Sequence, residues 1–322
     1  TKRKVMSAFN VLVTALHLVP EAQQMLQAAG GRIIFMEEPI NEDTLTERLS
    51  TGEVDAVLLR GSKPFSARVL AASKGLKIIA KNGAGIDNVD LAEATRKGIT
   101  VAVAAGANAD AVAEHAIALM LTLVRDIHTL NSKVHNGGWE GTSWFGRDFR
   151  GSVVGIIGYG SIGRSTAILA RALGAEVIVW SRNGRRADDF EVETNFERLL
   201  GRVDILSLHC PLTEATRGMI GHAEIARMKP GAMLINTARG PLINEQAVLD
   251  ALVSGHLGGA ALDVLSIEPP TNQPDLLELN HPNLIITPHI TWASEDGVSR
   301  LMQGILQNLN AFEQGAPINV VS

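Results

Sequence analysis

The sequence predicts an α/β protein made of two doubly wound parallel-sheet domains with a cleft between them. Short apolar runs alternate with helical segments along nearly the whole chain, and strands that alternate with helices form parallel sheets. A long helical segment and the Gly- and Trp-rich stretch "NGGWEGTSWFGRDFRG" at residues 136–151 interrupt this alternation. The length of 322 residues suits two domains of ordinary size.

The first series of strands lies between residues 10 and 103. We predict strands at 10–14, 32–36, 54–58, 77–80 and 100–103. The helical segments between them are "PEAQQMLQAAG", "EDTLTERLS", "SARVLAASKG" and "DLAEATRKG". Most of these end in Gly, which is the usual stop signal of a helix. This series predicts the first parallel sheet.

The second series begins at Val153, after a predicted helix at residues 110–131. We predict its strands at 153–157, 176–180, 203–208, 232–236, 259–264 and 284–288. A final helix begins near Ser294, and its apolar residues recur every three or four positions, which indicates one buried stripe. Ligands of such sheets bind beyond the carboxyl ends of the strands, so we expect the site in a cleft between the domains.

Composition excludes several classes of protein. Hydrophobic residues make up 46% and charged residues 20%, which suits a large packed core. The net charge of −5 argues against a nucleic-acid partner, which requires a basic face. The longest apolar stretch, 111–124, is interrupted by Glu114 and His115 and is shorter than the roughly 18 residues of a membrane span. The lone cysteine, Cys210, excludes an internal disulfide and favours a cytoplasmic location.

A glycine-rich turn follows the first strand of the second series. The segment "VVGIIGYGSIGRSTA" carries Gly158, Gly160 and Gly163 between an apolar strand and a helical pattern. In this context the first glycine permits a tight turn, the second lets the backbone approach a pyrophosphate, and the third permits close helix–strand packing. The helix N-terminus favours the negative charge of the pyrophosphate. The pattern predicts a Rossmann domain that binds a dinucleotide.

The segment "WSRNGRR" at residues 180–186 bears on the choice of cofactor. Specificity for NAD requires a carboxylate near the end of the second strand, where it accepts hydrogen bonds from the adenine ribose. This chain has Ser181 and Arg182 there, followed by Arg185 and Arg186. A guanidinium offers a planar fork to a phosphate. We therefore expect NADP(H) to be preferred, with NAD(H) as a possible second cofactor.

Three further strands are followed by polar side chains that form a chemical set. Arg239, Glu268 and His289 could separately be a surface cation, a solvated loop acid and a capping residue. Together they could catalyse a reaction, because an Arg holds a carboxylate through two parallel hydrogen bonds, and a His gives or takes a proton. A Glu beside that His favours its protonated form and orients the ring. With a nicotinamide, the set predicts hydride transfer to a 2-keto acid.

The chain resembles the D-isomer-specific 2-hydroxyacid dehydrogenase family over nearly its whole length. The order and chemistry of the matching segments make this resemblance highly specific. They are "KNGAGIDNVD", "AVAEHAIALML", "VGIIGYGSIG", "HCPLTEATRGMI", "INEQAVLDAL", "GAALDVLSIEPP" and "TPHITWAS".

The resemblance implies a role for individual residues. Arg239 would bind the substrate carboxylate and polarise the keto group, His289 would be the general acid in reduction, and Glu268 would be its partner. The backbone N–H groups of the "GAG" segment would help hold the carboxylate; these residues are Gly83, Ala84 and Gly85. Cofactor contacts would come from Gly158, Tyr159, Gly160, Ser161, Ile162, Ser181, Arg182, Cys210, Pro211, Thr216, Thr237, Ala238, Arg239, Asp263 and His289.

Other residues have both a structural and a functional interpretation. Arg60 ends a strand of the first domain and is either a surface charge or a substrate contact. Trp292 either lines the substrate pocket or only packs against neighbouring residues. The pair His209-Cys210 has no second cysteine and no nearby ligand pair. We therefore interpret that pair, and His115, as structural and predict no metal site.

The resemblance also implies a domain organisation and an assembly. A flavodoxin-like substrate domain would comprise residues 1–103 plus 291–322, because the first domain recruits the C-terminal helix in this family. A Rossmann cofactor domain would comprise residues 104–290. The family further implies a homodimer with the 110–131 helix near the interface.

We therefore predict an NAD(P)H-dependent reductase that converts a small 2-keto acid, such as glyoxylate or hydroxypyruvate, to the D-2-hydroxy acid. One alternative is a 3-phosphoglycerate dehydrogenase, in which Arg60 and Lys63 would serve the phosphate. An alternative of another class is a nucleotide-sensing corepressor, since that group resembles this one and can retain the same polar triad. Oxidation of formate or phosphite on the same fold is a minor third option.

Overall fold

The computed structural model describes residues 9–16, 18–139, 141, 144–184, 187–271, 275–279 and 281–321. The chain forms two compact units, Thr1–Asn108 with Ser294–Ser322 and Ala109–Ala293. Each unit contains one parallel sheet, so the predicted α/β class with two parallel-sheet domains is confirmed. No helix among the described residues is both long enough and apolar enough to cross a membrane.

The sheet of the first unit has the strand order β2-β1-β3-β4-β5, which is the flavodoxin-like order. The central strands β3 and β4 are buried along their whole length, as expected for a parallel sheet. Side-chain oxygens of Asn41, Ser66 and Asp90 cap the N-termini of α2, α3 and α4. The elements are β1 (Asn10–Val13), α1 (Pro20–Ala28), β2 (Arg32–Phe35), α2 (Glu42–Ser50), β3 (Ala56–Leu59), α3 (Ala67–Ala72), β4 (Ile78–Lys81), α4 (Leu91–Arg96) and β5 (Thr100–Val103).

The second unit has the strand order β12-β11-β10-β9-β6-β7-β8. This is the Rossmann order with one added strand, and the direction of winding reverses between β6 and β9. Its elements are α5 (Ala109–Val124), α6 (Ile127–His135), β6 (Val153–Ile157), α7 (Ser161–Ala172), β7 (Glu176–Trp180), β8 (Glu191–Glu193), α8 (Phe196–Arg202), β9 (Ile205–Leu208), α9 (His222–Arg227), β10 (Ala232–Asn236), α10 (Glu245–Val253), β11 (Leu257–Leu262), α11 (Asp275–Glu278) and β12 (Leu284–Ile286). A 3-10 turn at Gly240–Leu242 follows β10.

Two hydrophobic clusters pack against the sheet of the second unit. Leu206 and Leu208 of β9 belong to one cluster, whereas Ile205 belongs to the other. Successive side chains of a strand point to opposite faces, so this division places one cluster on each face of the sheet. The carboxyl ends of the strands are thereby held at one edge, where the polar residues predicted for the site emerge.

The C-terminal helix α12 (Glu295–Glu313) begins where the sequence predicted it. The Ser294 hydroxyl accepts a 2.9 Å hydrogen bond from the Gly297 N–H and caps the helix. Leu301, Met302, Ile305 and Leu309 are buried and belong to the predicted apolar stripe. The helix contributes to the first unit.

The predicted continuous helix at residues 110–131 is wrong. The structure has α5 and α6 in this region, separated at Asp126, whose φ of 54° is left-handed. The Asp126 N–H donates to the Leu123 carbonyl in a tight turn, and its carboxylate accepts the indole N–H of Trp144 at 3.1 Å. A distant side chain therefore stabilises the break, and the apolar periodicity contains no sign of it.

Strand β8 was absent from the sequence prediction because two of its three residues are glutamates. Glu193 is nevertheless buried, since its carboxylate accepts the backbone N–H groups of Thr194 and Asn195. A buried carboxylate is tolerated at a strand end when hydrogen-bond donors satisfy it, as these two N–H groups do. Short, charged edge strands of this kind give little signal in a hydrophobic pattern.

The boundaries between the units lie after Asn108 and after Ala293, whereas the sequence placed them after residues 103 and 290. Hydrogen bonds account for both differences. The Ala107 carbonyl accepts the Nε–H of Arg300 from α12, which holds residues 104–108 to the first unit. The Thr291 N–H donates to the carboxylate of Asp263, which holds residues 291–293 to the second unit.

Candidate active site

The glycine turn after β6 has the close approaches that its sequence predicts. Gly158 has a φ of +95°, and a Cβ there would lie 2.6 Å from the Cys210 backbone nitrogen. A Cβ on Gly163 would lie 2.0 Å from the Gly158 carbonyl oxygen. A Cβ on Gly160 would meet no protein atom within 4 Å. The turn is therefore closed on its inner side and open where a ligand would approach the backbone.

The same turn leads into the N-terminus of α7. Gly160 is the N-cap residue and has no side chain to satisfy the first N–H groups of the helix. Unsatisfied N–H groups and the helix dipole favour an anionic ligand such as a pyrophosphate. Tyr159, Ser161 and Ile162 complete this turn. These features fit the predicted dinucleotide.

The loop after β7 presents Ser181 and Arg182. The Ser181 N–H donates to the Glu193 carbonyl, and the Gly184 N–H closes a turn onto the Ser181 carbonyl at 3.1 Å. The exposed guanidinium of Arg182 lies 5.8 Å from the centroid of the Trp180 ring. Arg185 and Arg186, which were also considered, lie outside the described residues.

Two buried polar atoms without partners lie at the carboxyl ends of β9 and β10. They are Nδ1 of His209 and the hydroxyl oxygen of Thr237. The parallel register pairs Leu208 with Asn236, which places the next residues, His209 and Thr237, side by side. Because buried polar groups nearly always find partners, these two atoms fit a polar ligand at this edge. Burial lowers the pKa of His209 to about 4, so its ring is neutral at physiological pH.

The other predicted contacts after β9 have partners within the protein. The Cys210 thiol points to the Met219 sulfur at 3.7 Å, and burial raises its pKa to about 11, which disfavours a nucleophilic role. The Thr216 hydroxyl donates to the Pro211 carbonyl and accepts the Thr213 N–H, both at 2.8 Å. Thr216 therefore shapes this loop, and its contact with a cofactor stays a prediction. Among the described residues, no cluster of His, Cys, Asp and Glu side chains could hold a metal ion.

His289 and Glu268 form a direct pair. The Nδ1 atom of His289 lies 2.6 Å from Oε2 of Glu268, and Oε1 accepts the Leu265 N–H at 2.9 Å. Burial alone would raise the pKa of Glu268, but the hydrogen bond and charge of His289, the Leu265 N–H and the charge of Arg239 together lower it below its ordinary value. Glu268 is therefore ionised at neutral pH and orients the imidazole.

Arg239 projects from a turn that is fixed by a buried asparagine. The Asn236 side chain donates to the Arg239 carbonyl at 2.8 Å and accepts the Ala238 N–H at 3.1 Å. A Cβ on Gly240 would lie 2.0 Å from the Leu265 carbonyl carbon. This glycine thus lets the Arg239 turn pack directly on the loop that carries Glu268. The structure brings the three predicted catalytic residues into one group.

The turn at His289 has a strained backbone that several hydrogen bonds stabilise. His289 has a φ of 53°, and its N–H donates to the Asp263 carbonyl at 2.8 Å. The buried Asp263 carboxylate accepts the N–H groups of Ile290 and Thr291 at 2.9 and 3.1 Å. The Trp292 indole N–H donates to the His289 carbonyl at 2.8 Å. Left-handed backbone in a residue other than glycine persists only where surrounding contacts hold it.

In the first unit, the predicted substrate residues follow β3 and β4. The Arg60 N–H bonds to the Thr14 hydroxyl at 2.9 Å, and burial lowers the pKa of its guanidinium, which stays charged in proteins. Gly83 has a φ of +115° and begins the turn through Ala84 and Gly85. The Lys63 ammonium lies 3.7 Å from the carboxylate of Glu38.

A family model described as the NAD-binding domain of D-isomer specific 2-hydroxyacid dehydrogenases matches residues 117–291. The glycerate dehydrogenase of Methylorubrum extorquens is 38% identical over 287 residues, which cover 87% of this chain and 88% of that protein. The chain belongs to the D-isomer specific 2-hydroxyacid dehydrogenase family. This confirms the predicted family, and the chain is an NAD(P)-dependent oxidoreductase of keto and hydroxy acids.

Several other proteins and solved structures are similar to the chain. The hydroxypyruvate reductase of Thermotoga maritima is 38% identical over 87% of this chain and 91% of its own length. The structure of a glyoxylate reductase from Paecilomyes thermophila has a TM-score of 0.87 and 32% identity, with 98% and 99% of the two chains covered. An acyclic imino acid reductase in complex with NADPH and D-Arg has a TM-score of 0.87 and 25% identity, with 97% and 100% covered. The D-3-phosphoglycerate dehydrogenase of Archaeoglobus fulgidus is 35% identical over 82% of this chain, which spans only 50% of that relative.

Sequence reasoning missed three features of this dehydrogenase site. It gave Asp263 a cofactor contact, which stays a prediction, and did not foresee that both carboxylate oxygens hold the His289 turn. It left the indole N–H of Trp292 without a role, and it did not single out Asn236. A buried Asn at the last position of an apolar strand is a detectable signal, because such an amide requires local hydrogen bonds. The roles of Asp263 and Trp292 depend on a turn conformation that the pattern does not encode.

Proposed function

We propose that this dehydrogenase reduces hydroxypyruvate and glyoxylate to the D-2-hydroxy acids, with NADPH preferred over NADH. The observation that carries the chemistry is the 2.6 Å pair between Glu268 and the half-buried imidazole of His289, with the Arg239 turn packed against the same loop. The substrate class is supported by relatives named glycerate dehydrogenase, hydroxypyruvate reductase and glyoxylate reductase.

Each catalytic residue has a separate task in this proposal. Arg239 binds the substrate carboxylate through its fork of N–H groups and polarises the keto oxygen. Glu268 occupies Nδ1 of His289, which leaves Nε2 as the ring nitrogen that gives a proton to the new alkoxide. A nicotinamide cofactor, when bound, would supply the hydride that reduces the carbonyl carbon. In the oxidative direction, His289 accepts the proton instead.

The cofactor would be held by the glycine turn and selected by the loop after β7. The open side of Gly160 and the N-terminus of α7 fit the pyrophosphate. Ser181 can donate one hydrogen bond and Arg182 can pair with a 2′-phosphate. No carboxylate occupies position 181, where NAD-specific sites need one. The neighbour in complex with NADPH supports use of the phosphorylated cofactor within this fold.

We propose substrate-binding roles for Arg60, for the N–H groups of Gly83–Gly85 and for Trp292. Arg60 is a half-buried cation at the end of β3, and Gly83 has a φ of +115°, which permits the turn that would present these N–H groups to a carboxylate. These roles are implied by the resemblance to the family. A 3-phosphoglycerate dehydrogenase activity is less favoured, because Lys63, its second proposed phosphate ligand, faces the Glu38 carboxylate at 3.7 Å.

A homodimer and a cytoplasmic location complete the proposal. Residues on α6 and beyond it expose apolar surface, including Trp139 at 85% and Phe145 at 91%. Exposed apolar patches mark interaction sites, which supports a self-association surface beyond the 110–131 segment that the resemblance places near the interface. The lone cysteine supports a reducing compartment. Analytical ultracentrifugation would test the dimer.

A panel of 2-keto acids with NADPH and NADH tests the proposed function. We expect the highest kcat/KM with hydroxypyruvate or glyoxylate and NADPH. The control is 3-phosphohydroxypyruvate, for whose phosphate Arg60 and Lys63 are the proposed ligands. A higher kcat/KM with that compound would favour the phosphoglycerate alternative, and equal or better use of NADH would contradict the cofactor preference.

A further inference from the structure

We propose that Arg164 of α7 determines cofactor specificity by neutralising Asp188, a carboxylate that would otherwise repel the 2′-phosphate of NADPH. Asp188 belongs to the loop after β7, which also carries Ser181 and Arg182. The inference rests on the proposed NADPH preference and names a further residue that maintains it. It explains how a loop with its own acids can accept an anionic ligand.

The position of Asp188 is fixed by contacts with the pyrophosphate turn. Its Oδ2 atom accepts the Tyr159 hydroxyl at 2.8 Å and the Nε–H of Arg164 at 2.7 Å. Tyr159 lies between the first two glycines of the turn, Gly158 and Gly160. The carboxylate therefore lies beside the segment proposed to hold the dinucleotide. Its backbone φ of 50° is left-handed, so local contacts must maintain this geometry.

The second acid of the loop is paired in the same way. Asp189 Oδ2 lies 2.8 Å from Nη1 of Arg171, which lies about two turns after Arg164 on the same face of α7. The Arg171 guanidinium also lies 4.1 Å from the centroid of the Phe190 ring, and that ring meets Tyr159 edge-on at 6.0 Å. Asp188 and Asp189 therefore both form ion pairs with arginines of α7.

The charge state of this cluster supports the proposal. The hydrogen bonds from Tyr159 and Arg164 hold the pKa of Asp188 below its ordinary value, so it is ionised at neutral pH. Partial burial and the hydrogen bond to Asp188 raise the pKa of Tyr159 to about 12, so its hydroxyl remains a neutral donor. Among the described residues, Arg164 is the cation that pairs directly with Asp188, and the charge of Arg171 adds a smaller effect. Loss of Arg164 would therefore leave this carboxylate without its direct partner beside the proposed cofactor site.

The solvent exposure of the Arg164–Asp188 ion pair indicates which measured property its loss should change. The Arg164 and Asp188 side chains are 56% and 46% exposed, and exposed ion pairs contribute little to folding stability. A 2′-phosphate carries up to two negative charges, so it senses a nearby free carboxylate more strongly than a ribose hydroxyl does. Loss of Arg164 should therefore change cofactor selection and leave the melting temperature almost unchanged.

A double-mutant cycle separates this mechanism from a direct attraction between Arg164 and the cofactor. Dissociation constants for NADPH and NADH would be measured by fluorescence titration for wild type, Arg164→Gln, Asp188→Asn and Arg164→Gln/Asp188→Asn. We expect Arg164→Gln to weaken NADPH binding by about three- to tenfold, with a smaller change for NADH and a smaller effect at high ionic strength. Asp188→Asn should keep the NADPH preference, and the double variant should recover it.

Arg227→Gln is the matched control. Arg227 of α9 forms an exposed ion pair with Glu197 of α8 at 3.3 Å in the same unit, so its substitution should leave the NADPH/NADH ratio unchanged. If the double variant binds NADPH as weakly as Arg164→Gln, Arg164 acts directly and the proposal is overturned. An unchanged ratio in Arg164→Gln would also overturn it. If the wild type shows no preference for NADPH, the proposed function is contradicted. Because this result comes from the wild-type protein alone, it is distinguishable from a failure of the Arg164 proposal.

Discussion

The turn at His289 and the loop from Ser181 to Phe190 both follow strands at the same edge of the Rossmann sheet and carry side chains proposed to contact a ligand, but they are held by different means. The His289 turn is held by the buried carboxylate of Asp263, by backbone hydrogen bonds and by the Trp292 indole. Two ion pairs join the described part of the loop to α7, and their side chains are between 45% and 75% exposed. Buried hydrogen bonds fix geometry tightly, whereas exposed ion pairs are weak and are screened by salt.

The difference suggests that the enzyme separates chemistry from cofactor choice. Proton transfer needs a ring held to within a fraction of an ångström, which suits a rigid, buried support. Cofactor choice needs a local charge balance, which surface residues can change without disturbing the catalytic group. Substitutions in the first region should therefore lower kcat strongly, and those in the second should change the ratio between two cofactors.

The largest expected effect follows from His289→Ala. If His289 is the general acid, this change should lower kcat for keto-acid reduction by roughly 10²–10⁴-fold. Cofactor affinity, measured by fluorescence titration of the same variant, should change little, because the glycine turn and the loop after β7 remain. A variant with near wild-type kcat would remove His289 from the mechanism.

The next largest effect should come from Arg239→Ala. The guanidinium is proposed to contact both the carboxylate and the keto oxygen of the substrate, so its loss should raise KM and lower kcat together. We expect kcat/KM to fall by about 10²-fold or more, since a hydrogen bond to a charged group contributes about 1.5–3 kcal/mol. Arg239→Lys is the matched variant, because it keeps the charge and loses the planar fork. Full activity in the Lys variant would contradict paired recognition of the carboxylate.

Arg182→Ala tests whether the loop after β7 selects the cofactor. The hydrogen bonds of a guanidinium to a 2′-phosphate correspond to roughly 10–100-fold discrimination. We expect most of the NADPH preference in kcat/KM to be lost, while kcat at saturating NADPH stays close to wild type. A uniform loss of activity with both cofactors would show that Arg182 supports the fold of the loop instead.

A smaller effect is expected from Trp292→Phe, which keeps the aromatic ring and removes the hydrogen bond to the His289 carbonyl. One neutral hydrogen bond contributes about 0.5–1.5 kcal/mol, so kcat should fall by roughly 2–10-fold. KM should stay nearly constant if the ring only supports the turn. A rise in KM with constant kcat would instead identify Trp292 as a wall of the substrate pocket.

Glu268→Gln should act mainly on the pH profile. The pKa of Glu268 lies below its ordinary value, so the carboxylate adds stability above the usual carboxyl range and loses that contribution as pH falls through the lowered value. Its negative charge favours the protonated imidazole, which reduction requires. The alkaline limb of the reduction profile should therefore move to lower pH in the variant. An unmoved limb would count against the coupling of the two residues.

The sequence predicted the fold class and the catalytic group because both depend on local patterns. Alternating apolar strands and helices indicate parallel sheets, and polar residues after such strands converge at the carboxyl edge. Arg239, Glu268 and His289 were singled out in this way, and their catalytic roles stay a prediction. The break at Asp126 and the role of Asp263 depend on partners distant in sequence, namely Trp144 and the 287–291 turn. The pairing of Arg164 with Asp188 likewise needs the loop geometry.

One measurement tests most directly whether chemistry and cofactor choice are separate. It is the ratio of kcat/KM for NADPH to kcat/KM for NADH, determined in wild type, His289→Ala and Arg182→Ala. We expect His289→Ala to lower both values by the same large factor and to leave the ratio unchanged. Arg182→Ala should bring the ratio towards one while kcat at saturating NADPH stays near wild type. A ratio that changes in His289→Ala, or a kcat that falls equally in both variants, would contradict the separation.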